Sequence, residues 1–201
     1  MEKETITVKI VKTDGILLKD LKGLSFIVRE DFIKADGYKN EGDKVSRIVS
    51  AYFKRKYIGE WEKNEHGKPV SESKYFNISH TCGAVVFAAS VSDIGIDIEK
   101  IRVKPEKLKR YVSSKEEYAY IKDDETFFEI WTAKESLVKA AGTGIYVRAD
   151  IIPAIPFNGV KVFNGAVYFS RCVKVKDYVI SITRLGETPF DVNVVNENVF
   201  D

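Results

Sequence analysis

The spacing of apolar residues divides the chain into two similar runs of elements. Residues 5–11 alternate between apolar and polar side chains, which is the period of a half-buried strand. Apolar residues at helical spacing predict an amphipathic helix over residues 43–57. Short apolar and aromatic runs then predict strands at 75–78 and 84–89, with a turn at 79–83 between them.

A second run of elements begins near residue 93. It contains a predicted strand at 94–99, a long amphipathic helix at 127–141, and strands near 160–163, 166–175 and 178–183. The order of strand, helix and strands therefore occurs twice. This repetition predicts a duplicated α+β unit.

Composition acts mainly by exclusion. The 32 basic and 30 acidic side chains leave a net charge of +2, so no overall field indicates nucleic acid or a membrane surface as a partner. The N-terminal residues lack the apolar run of a signal peptide, and no stretch has the roughly 18 uncharged apolar residues of a membrane span. We therefore expect a cytoplasmic protein. Cys82 and Cys172 are the only two cysteines and lie far apart in the chain, which fits neither a disulfide framework nor the paired spacing of a zinc site. Both are therefore predicted to be buried reduced thiols.

Two acidic residues on one strand are the first candidates for chemistry. Residues two apart in a strand share a face, so Asp97 and Glu99 are predicted to present two carboxylates together. Oxygen ligands of this kind suit Mg²⁺, which is usually held by one or two carboxylates with substrate phosphates and water. A plain solvated strand face is the alternative.

The later helix adds Glu135 and Lys139, which are four residues apart and lie together on a flank of its apolar stripe. This spacing is typical of an exposed ion pair, and the alternative is a convergent site. His80 has a structural alternative as well, although a protonated imidazole could bind a phosphate. The turn at Gly67, Lys68 and Pro69 is common in proteins and indicates no function by itself.

The combination of motifs is more specific. Taken in order, Gly67-Lys68-Pro69, Phe76-Asn77-Ile78-Ser79-His80, the strand 94–99, and Trp131-Thr132-Ala133-Lys134-Glu135-Ser136 with Lys139 resemble the 4′-phosphopantetheinyl transferase superfamily. The chain looks like the long, surfactin-synthetase type, and the resemblance spans about residues 43–145. It implies an α+β fold of two similar halves with pseudo-two-fold symmetry, each a small antiparallel sheet packed with a long helix.

The resemblance also implies a division of labour between the halves. Residues 1–92 would form the side that binds the adenine and 3′-phosphate of coenzyme A, and residues 93–201 the magnesium and catalytic side. The magnesium ligands would be Asp97, Glu99 and Glu135. Glu135 is the candidate base for the carrier serine, directly or through a bound water, with Asp97 and Lys139 as its catalytic partners.

Further residues are expected to contact coenzyme A. The resemblance implies Lys134 and Lys139 as coenzyme contacts, Lys139 at the phosphates, Ser79 and His80 near the 3′-phosphate, and Gly67, Lys68 and Pro69 at the adenine end. Family members carry an arginine early in the first helix, where this chain has Ser46, so Lys44 or Arg47 would take over its role. Thr81-Cys82 also departs from the usual Ser-Gly after the histidine, which affects the shape of that turn.

The implied reaction is the Mg²⁺-dependent transfer of 4′-phosphopantetheine from coenzyme A to a serine of an apo acyl or peptidyl carrier protein, releasing adenosine 3′,5′-bisphosphate. The basic segment between Arg102 and Arg110 is a candidate docking surface for an acidic carrier, with a solvated segment as the alternative. A monomer is expected by analogy with the long type. Two other functions stay open: a magnesium-dependent nucleotide or pyrophosphate hydrolase, and a non-catalytic module that binds coenzyme A or a carrier.

Overall fold

The computed structural model describes residues 4–65, 67–72, 74–144 and 148–200. Its elements follow the two predicted runs, with short helices added. The first run contains β1 (Glu4–Lys12), α1 (Arg29–Asp36), α2 (Glu41–Tyr57), β2 (Glu62–Lys63), β3 (Pro69–Val70), β4 (Tyr75–Thr81) and β5 (Ala84–Ser90). The second contains β6 (Ile94–Lys100), α3 (Glu106–Val112), α4 (Lys115–Tyr120), α5 (Asp124–Ala141), β7 (Gly159–Phe163), β8 (Ala166–Val175), β9 (Tyr178–Leu185) and β10 (Phe190–Asn196).

Two four-stranded sheets repeat one topology. The first has the order β10-β1-β5-β4 and the second the order β6-β9-β8-β7. In each half an opening strand is followed by a long helix and then by a hairpin whose second strand lies beside the opening strand. The predicted α+β class with two similar halves is confirmed.

The last strand departs from a simple division into halves. β10 pairs with β1 in parallel, so the C-terminal strand joins the first sheet, whereas the other pairings in both sheets are antiparallel. Glu197, just after β10, accepts hydrogen bonds from Tyr52, Tyr57 and Lys56 on α2 and from Lys9 on β1. The boundary between residues 92 and 93 stays a prediction.

Apolar residues form a core between the sheets and further clusters beneath the helices. Ile94, Ile96 and Ile98 of β6 join Ile6, Val8 and Ile10 of β1 in the central core. α2 packs on the outer face of the first sheet through Val45, Ile48, Val49, Tyr52 and Phe53. α5 covers the second sheet, with Phe127, Phe128, Leu137 and Val138 among its buried residues. None of the helices formed by the described residues is long and apolar enough to cross a membrane.

Two local predictions are wrong. Ser79 and His80 were expected in a turn, but β4 continues to Thr81, and the turn is shortened to Cys82 and Gly83. Gly83 has φ 78°, a left-handed conformation that glycine adopts without strain, so two residues are enough to reverse the chain. Cys82 is exposed in this turn, whereas only Cys172 is partly buried.

Candidate active site between the two halves

The acidic face of β6 lies directly against α5. Gly95 makes this approach possible, because a Cβ atom there would be 2.0 Å from the Ser136 carbonyl oxygen and 2.4 Å from the Ala140 amide nitrogen. The isoleucines of β6 point into the core between the sheets, so Asp97 and Glu99 face the helix side. This close contact brings Glu135 and Lys139 of α5 next to the acidic strand.

Asp97 is buried and has two side-chain partners. Lys139 Nζ lies 2.6 Å from Asp97 Oδ1, and Ser79 Oγ donates a hydrogen bond of 2.7 Å to the same oxygen. Lys139 Nζ also reaches Ser79 Oγ at 3.1 Å and the carbonyl oxygen of Ile96 at 3.3 Å. Lys139 therefore pairs with the acidic strand, and the expected ion pair with Glu135 is not among the salt bridges of the described residues.

Glu99 lies nearer the surface and is also held by two donors. Thr81 Oγ1 and Arg102 Nη1 each donate a hydrogen bond of 2.9 Å to Glu99 Oε2. Glu135 lines a cavity together with Lys139 of the same helix. Burial raises the pKa of the Glu135 carboxyl; nearby Lys139 lowers it, and the carboxylates of Asp97 and Glu99 raise it further. A carboxylate with a raised pKa is a better proton acceptor near neutral pH.

The oxygen atoms at this site are suitable ligands for a hard cation. Asp97 and Glu99 offer carboxylate oxygens on one strand face, and the neighbouring Ser79 and Thr81 offer hydroxyl oxygens, the donor type that Mg²⁺ prefers. Within the described ranges, however, no three His, Cys, Asp or Glu side chains stand close enough together to hold a metal ion. Glu135 therefore does not join the two strand carboxylates as a third ligand here, and the three-ligand set stays a prediction.

A cavity of about 250 Å³ brings together several residues that the sequence singled out. Its lining includes Gly67, Lys68, Pro69, Glu135 and Lys139, and also Asn77, Ile78, Val138, Gly142 and Gly144. Lys68 Nζ forms an ion pair with Asp93 at 3.1 Å and a 3.3 Å hydrogen bond to the carbonyl oxygen of Ala140. The turn at Gly67, Lys68 and Pro69 thus reaches from the first half to the end of α5.

Ser79 and His80 point in opposite directions because they are consecutive in a strand. Ser79 faces β6, whereas His80 is paired across the hairpin with Val85, whose side chain packs beneath α2. His80 is an exposed residue, but protein atoms around its ring still remove part of its hydration. This desolvation and the charge of Lys139 lower the pKa of His80, and the carboxylate of Asp43, near the start of α2, acts to raise it. A bound phosphate would raise this pKa again.

The two candidate basic residues of α2 differ. Lys44 Nζ pairs with Asp36 at 3.4 Å. Arg47 is partly buried on the same helix and forms no ion pair with the described residues. Arg47 is therefore the residue better placed to bind an anion.

Lys134 does not face the cavity. It is 2% exposed, and its Nζ lies 2.6 Å from Glu117 Oε2, 2.7 Å from the carbonyl oxygen of Ala149 and 2.9 Å from that of Ile152. Glu117 in turn accepts hydrogen bonds from the backbone of Ser114 and Ala154. These contacts enclose the ammonium group and do not support the expectation that Lys134 binds coenzyme A, which stays a prediction. Its role here is structural.

Three site residues were missed by the reasoning from sequence. Asn77 and Thr81 contact the acidic strand, and Asp93 binds Lys68. The alternation of polar residues 77, 79 and 81 was a usable signal, because a longer β4 would place all three on one face. No comparable signal marked Asp93.

Comparison with known proteins supports the resemblance. Residues 93–183 match the family described as the 4′-phosphopantetheinyl transferase superfamily. The chain is 35% identical over 127 residues to 4′-phosphopantetheinyl transferase gsp of Aneurinibacillus migulanus, covering 55% of this chain and 54% of that protein. It is 36% identical over 95 residues to 4′-phosphopantetheinyl transferase Sfp of Bacillus subtilis (strain 168), covering 43% and 42%.

The matches extend over only part of these proteins, so the aligned region spans about half the length of the first relative. Among solved structures, the holo-[acyl-carrier-protein] synthase of Thermotoga maritima is similar over 49% of this chain and 65% of that chain, at 16% identity and a TM-score of 0.35. The resemblance stated from the motifs, including the surfactin-synthetase type, is confirmed by the family match and the sequence relatives.

Proposed function

On the premise of this resemblance to the 4′-phosphopantetheinyl transferase superfamily, we propose that the protein transfers 4′-phosphopantetheine from coenzyme A to a serine of an apo carrier protein. One observation carries the proposal. Lys139 touches the buried Asp97 and, together with Glu135, lines the cavity that also contains the Gly67-Lys68-Pro69 turn. A cation and a carboxylate therefore line a cavity where a pyrophosphate could bind, and the same cation contacts the strand that would hold the metal.

The described groups support specific roles in binding. Lys139 and Lys68 would neutralise phosphate oxygens, and the turn that carries Lys68 would contact the adenine end. His80 and Arg47, both on the α2 side of the first sheet, would bind the 3′-phosphate. Arg47 is preferred to Lys44 because Lys44 is paired with Asp36.

The chemistry is a single displacement at phosphorus. The carrier serine oxygen forms a bond to the β-phosphorus of coenzyme A, and the bond from that phosphorus to the bridging oxygen breaks. Adenosine 3′,5′-bisphosphate leaves with the electron pair, and Glu135 accepts the serine proton. Lys139 stabilises the charge that develops on the phosphate oxygens.

Asp97 and Glu99 would hold Mg²⁺ through their oxygens, with Glu135 as the further ligand that the resemblance implies. The ion would neutralise charge on the pyrophosphate. Hydrogen bonds from Ser79 to Asp97 and from Thr81 to Glu99 hold the two strand carboxylates in place. We expect the protein to act as a monomer.

The segment from Arg102 to Arg110 supports a docking site for an acidic carrier. α3 exposes Lys107 and Arg110 beside Tyr111, which is 78% exposed, around a hollow of about 510 Å³ that Pro105 and Leu108 also line. Lys109 is excluded from this surface because it is buried and paired with Asp124 at 2.8 Å.

Charge reversal tests this docking surface. Lys107→Glu with Arg110→Glu should raise the KM for the carrier and leave the KM for coenzyme A unchanged, because only the encounter with an acidic partner is affected. Lys19→Glu with Lys22→Glu, at two exposed positions of the first half, serves as the matched control. Equal changes in both KM values would argue against docking at α3.

A panel of apo carrier proteins tests the function itself. Each carrier is incubated with the protein, coenzyme A and Mg²⁺, and its intact mass is measured. The proposal predicts a gain of one phosphopantetheine group and an equal amount of adenosine 3′,5′-bisphosphate. Release of the bisphosphate without a carrier would instead indicate a hydrolase, and thermal stabilisation by coenzyme A without any product would indicate a binding module.

A further inference from the structure

Three polar side chains of β4 reach across to β6. Asn77 Oδ1 accepts a hydrogen bond of 3.2 Å from the Ile96 amide, Ser79 Oγ donates to Asp97, and Thr81 Oγ1 donates to Glu99. The three residues alternate along β4 and therefore share a face. β4 and β6 are edge strands of different sheets, so these side chains link two edges that do not pair through their backbones.

The contacts hold one oxygen of each carboxylate. Ser79 and Lys139 both bind Oδ1 of Asp97, and Thr81 and Arg102 both bind Oε2 of Glu99. From the described residues, no hydrogen-bond donor reaches Asp97 Oδ2 or Glu99 Oε1. Each carboxylate is thus fixed in orientation through one oxygen while the other oxygen is left to accept a ligand.

Of the two donors to Glu99, Thr81 is the more rigid. Arg102 has a long side chain that is 44% exposed, and holding it in one geometry costs conformational entropy. Thr81 is β-branched, lies within a strand, and has few accessible rotamers. A hydroxyl on a rigid strand restricts the carboxylate more than a flexible guanidinium does.

We propose that Thr81 is a positioning residue that orients Glu99 for metal binding. The inference rests on the proposed function, because it takes Asp97 and Glu99 as the metal-binding pair. Residues that orient metal ligands through hydrogen bonds typically contribute 10- to 100-fold in metal affinity. Because Arg102 still holds the same oxygen, the expected loss is at the lower end, about tenfold.

Direct titration with Mn²⁺ tests the role without coenzyme or carrier. Free Mn²⁺ is measured by electron paramagnetic resonance for the parent protein, Thr81→Val, Thr81→Ser and the control Thr7→Val, which changes an exposed threonine of β1. Thr81→Val should weaken Mn²⁺ binding about tenfold, because it removes the hydroxyl and keeps the shape. Thr81→Ser keeps the hydroxyl and should bind within about twofold of the parent, and Thr7→Val should bind like the parent.

Thermal unfolding shows whether each variant is folded. Parent-like Mn²⁺ affinity in folded Thr81→Val overturns the positioning role, as does equal weakening in Thr81→Val and Thr81→Ser. The carrier panel separates this result from the proposed function. Weaker Mn²⁺ binding by Thr81→Val in a protein that modifies no carrier supports positioning and removes the transferase. Carrier modification with unchanged Mn²⁺ affinity removes positioning alone.

Discussion

Replacement of Lys134 by methionine should destabilise the protein strongly. The ammonium group is buried and makes three contacts, to Glu117 and to the carbonyl oxygens of Ala149 and Ile152. Methionine keeps most of the side-chain volume but leaves the Glu117 carboxylate, whose side chain is 7% exposed, without its counter-ion. Breaking a buried ion pair on one side costs about 3–5 kcal/mol.

The free energy of unfolding is measured by urea denaturation near pH 7, together with the Tm. For a chain of this size each kcal/mol lowers the Tm by about 2–4 °C, so a decrease of roughly 6–20 °C is expected. Lys174→Met provides a matched control, because Lys174 pairs with Glu125 at the surface, where both side chains are more than a third exposed. That variant should lose less than about 1 kcal/mol.

A second variant separates lost charge pairing from lost packing. Adding Glu117→Gln to Lys134→Met removes the unpaired buried charge, but the amide oxygen can accept from only one of the two backbone N–H groups, of Ser114 and Ala154, that bond to the two carboxylate oxygens. An unpaired buried charge costs more than one lost hydrogen bond. The double variant should therefore be more stable than Lys134→Met. A loss of less than about 1 kcal/mol in Lys134→Met, combined with weaker coenzyme A binding, would refute the structural role and restore Lys134 as a coenzyme contact.

Three further predictions concern stability, helix packing and ligand selectivity. Burial acts to raise the pKa of Glu197, but hydrogen bonds from Tyr57, Lys56, Lys9 and Tyr52 lower it from 4.5 to about 2. This stabilisation is complete above pH 4.5 and is lost as the pH falls toward 2. In urea denaturation, Glu197→Gln should therefore lower the free energy of unfolding by about 1–2 kcal/mol at pH 7 and by progressively less below pH 4.5. A difference in the free energy of unfolding that does not change with pH would contradict this origin. Gly95→Ala should lower the free energy of unfolding by about 1–3 kcal/mol or more, because the added Cβ atom would meet the α5 backbone. Gly42→Ala is the control and should not destabilise the protein, because the space around Gly42 is open. Equal Tm values for the two variants would contradict the close approach of β6 and α5. Arg47→Ala should raise the KM for coenzyme A more than the KM for 3′-dephospho-coenzyme A, and a similar rise with Lys44→Ala would remove the preference for Arg47.

The regular elements were predictable because their signal is periodic. The alternation in β1 and the helical spacing in α2 and α5 each follow from a face that must be buried. The strand that carries Asp97 and Glu99 was predicted for the same reason, since Ile94, Ile96 and Ile98 fill its other face.

Pairing between distant residues could not be predicted in this way. The parallel pairing of β10 with β1 joins opposite ends of the chain, and no local pattern marks it. Lys134 was assigned to the coenzyme from its place in a motif. Its environment is instead determined by a buried ion pair with Glu117, which lies 17 positions earlier in the chain. The prediction of a turn at Ser79 and His80 was wrong because small and polar residues also suit a strand that faces another polar strand.

The most direct test of the account compares the parent protein with Asp97→Asn in the transfer reaction. Asparagine keeps the shape of Asp97 but removes the charge that pairs with Lys139 and would bind Mg²⁺. The intact mass of an apo carrier is followed with coenzyme A over a range of Mg²⁺ concentrations. The account predicts Mg²⁺-dependent addition of phosphopantetheine by the parent and at least a hundredfold slower addition by Asp97→Asn, on the order of one lost transition-state interaction. Addition at the parent rate by a folded Asp97→Asn would contradict it.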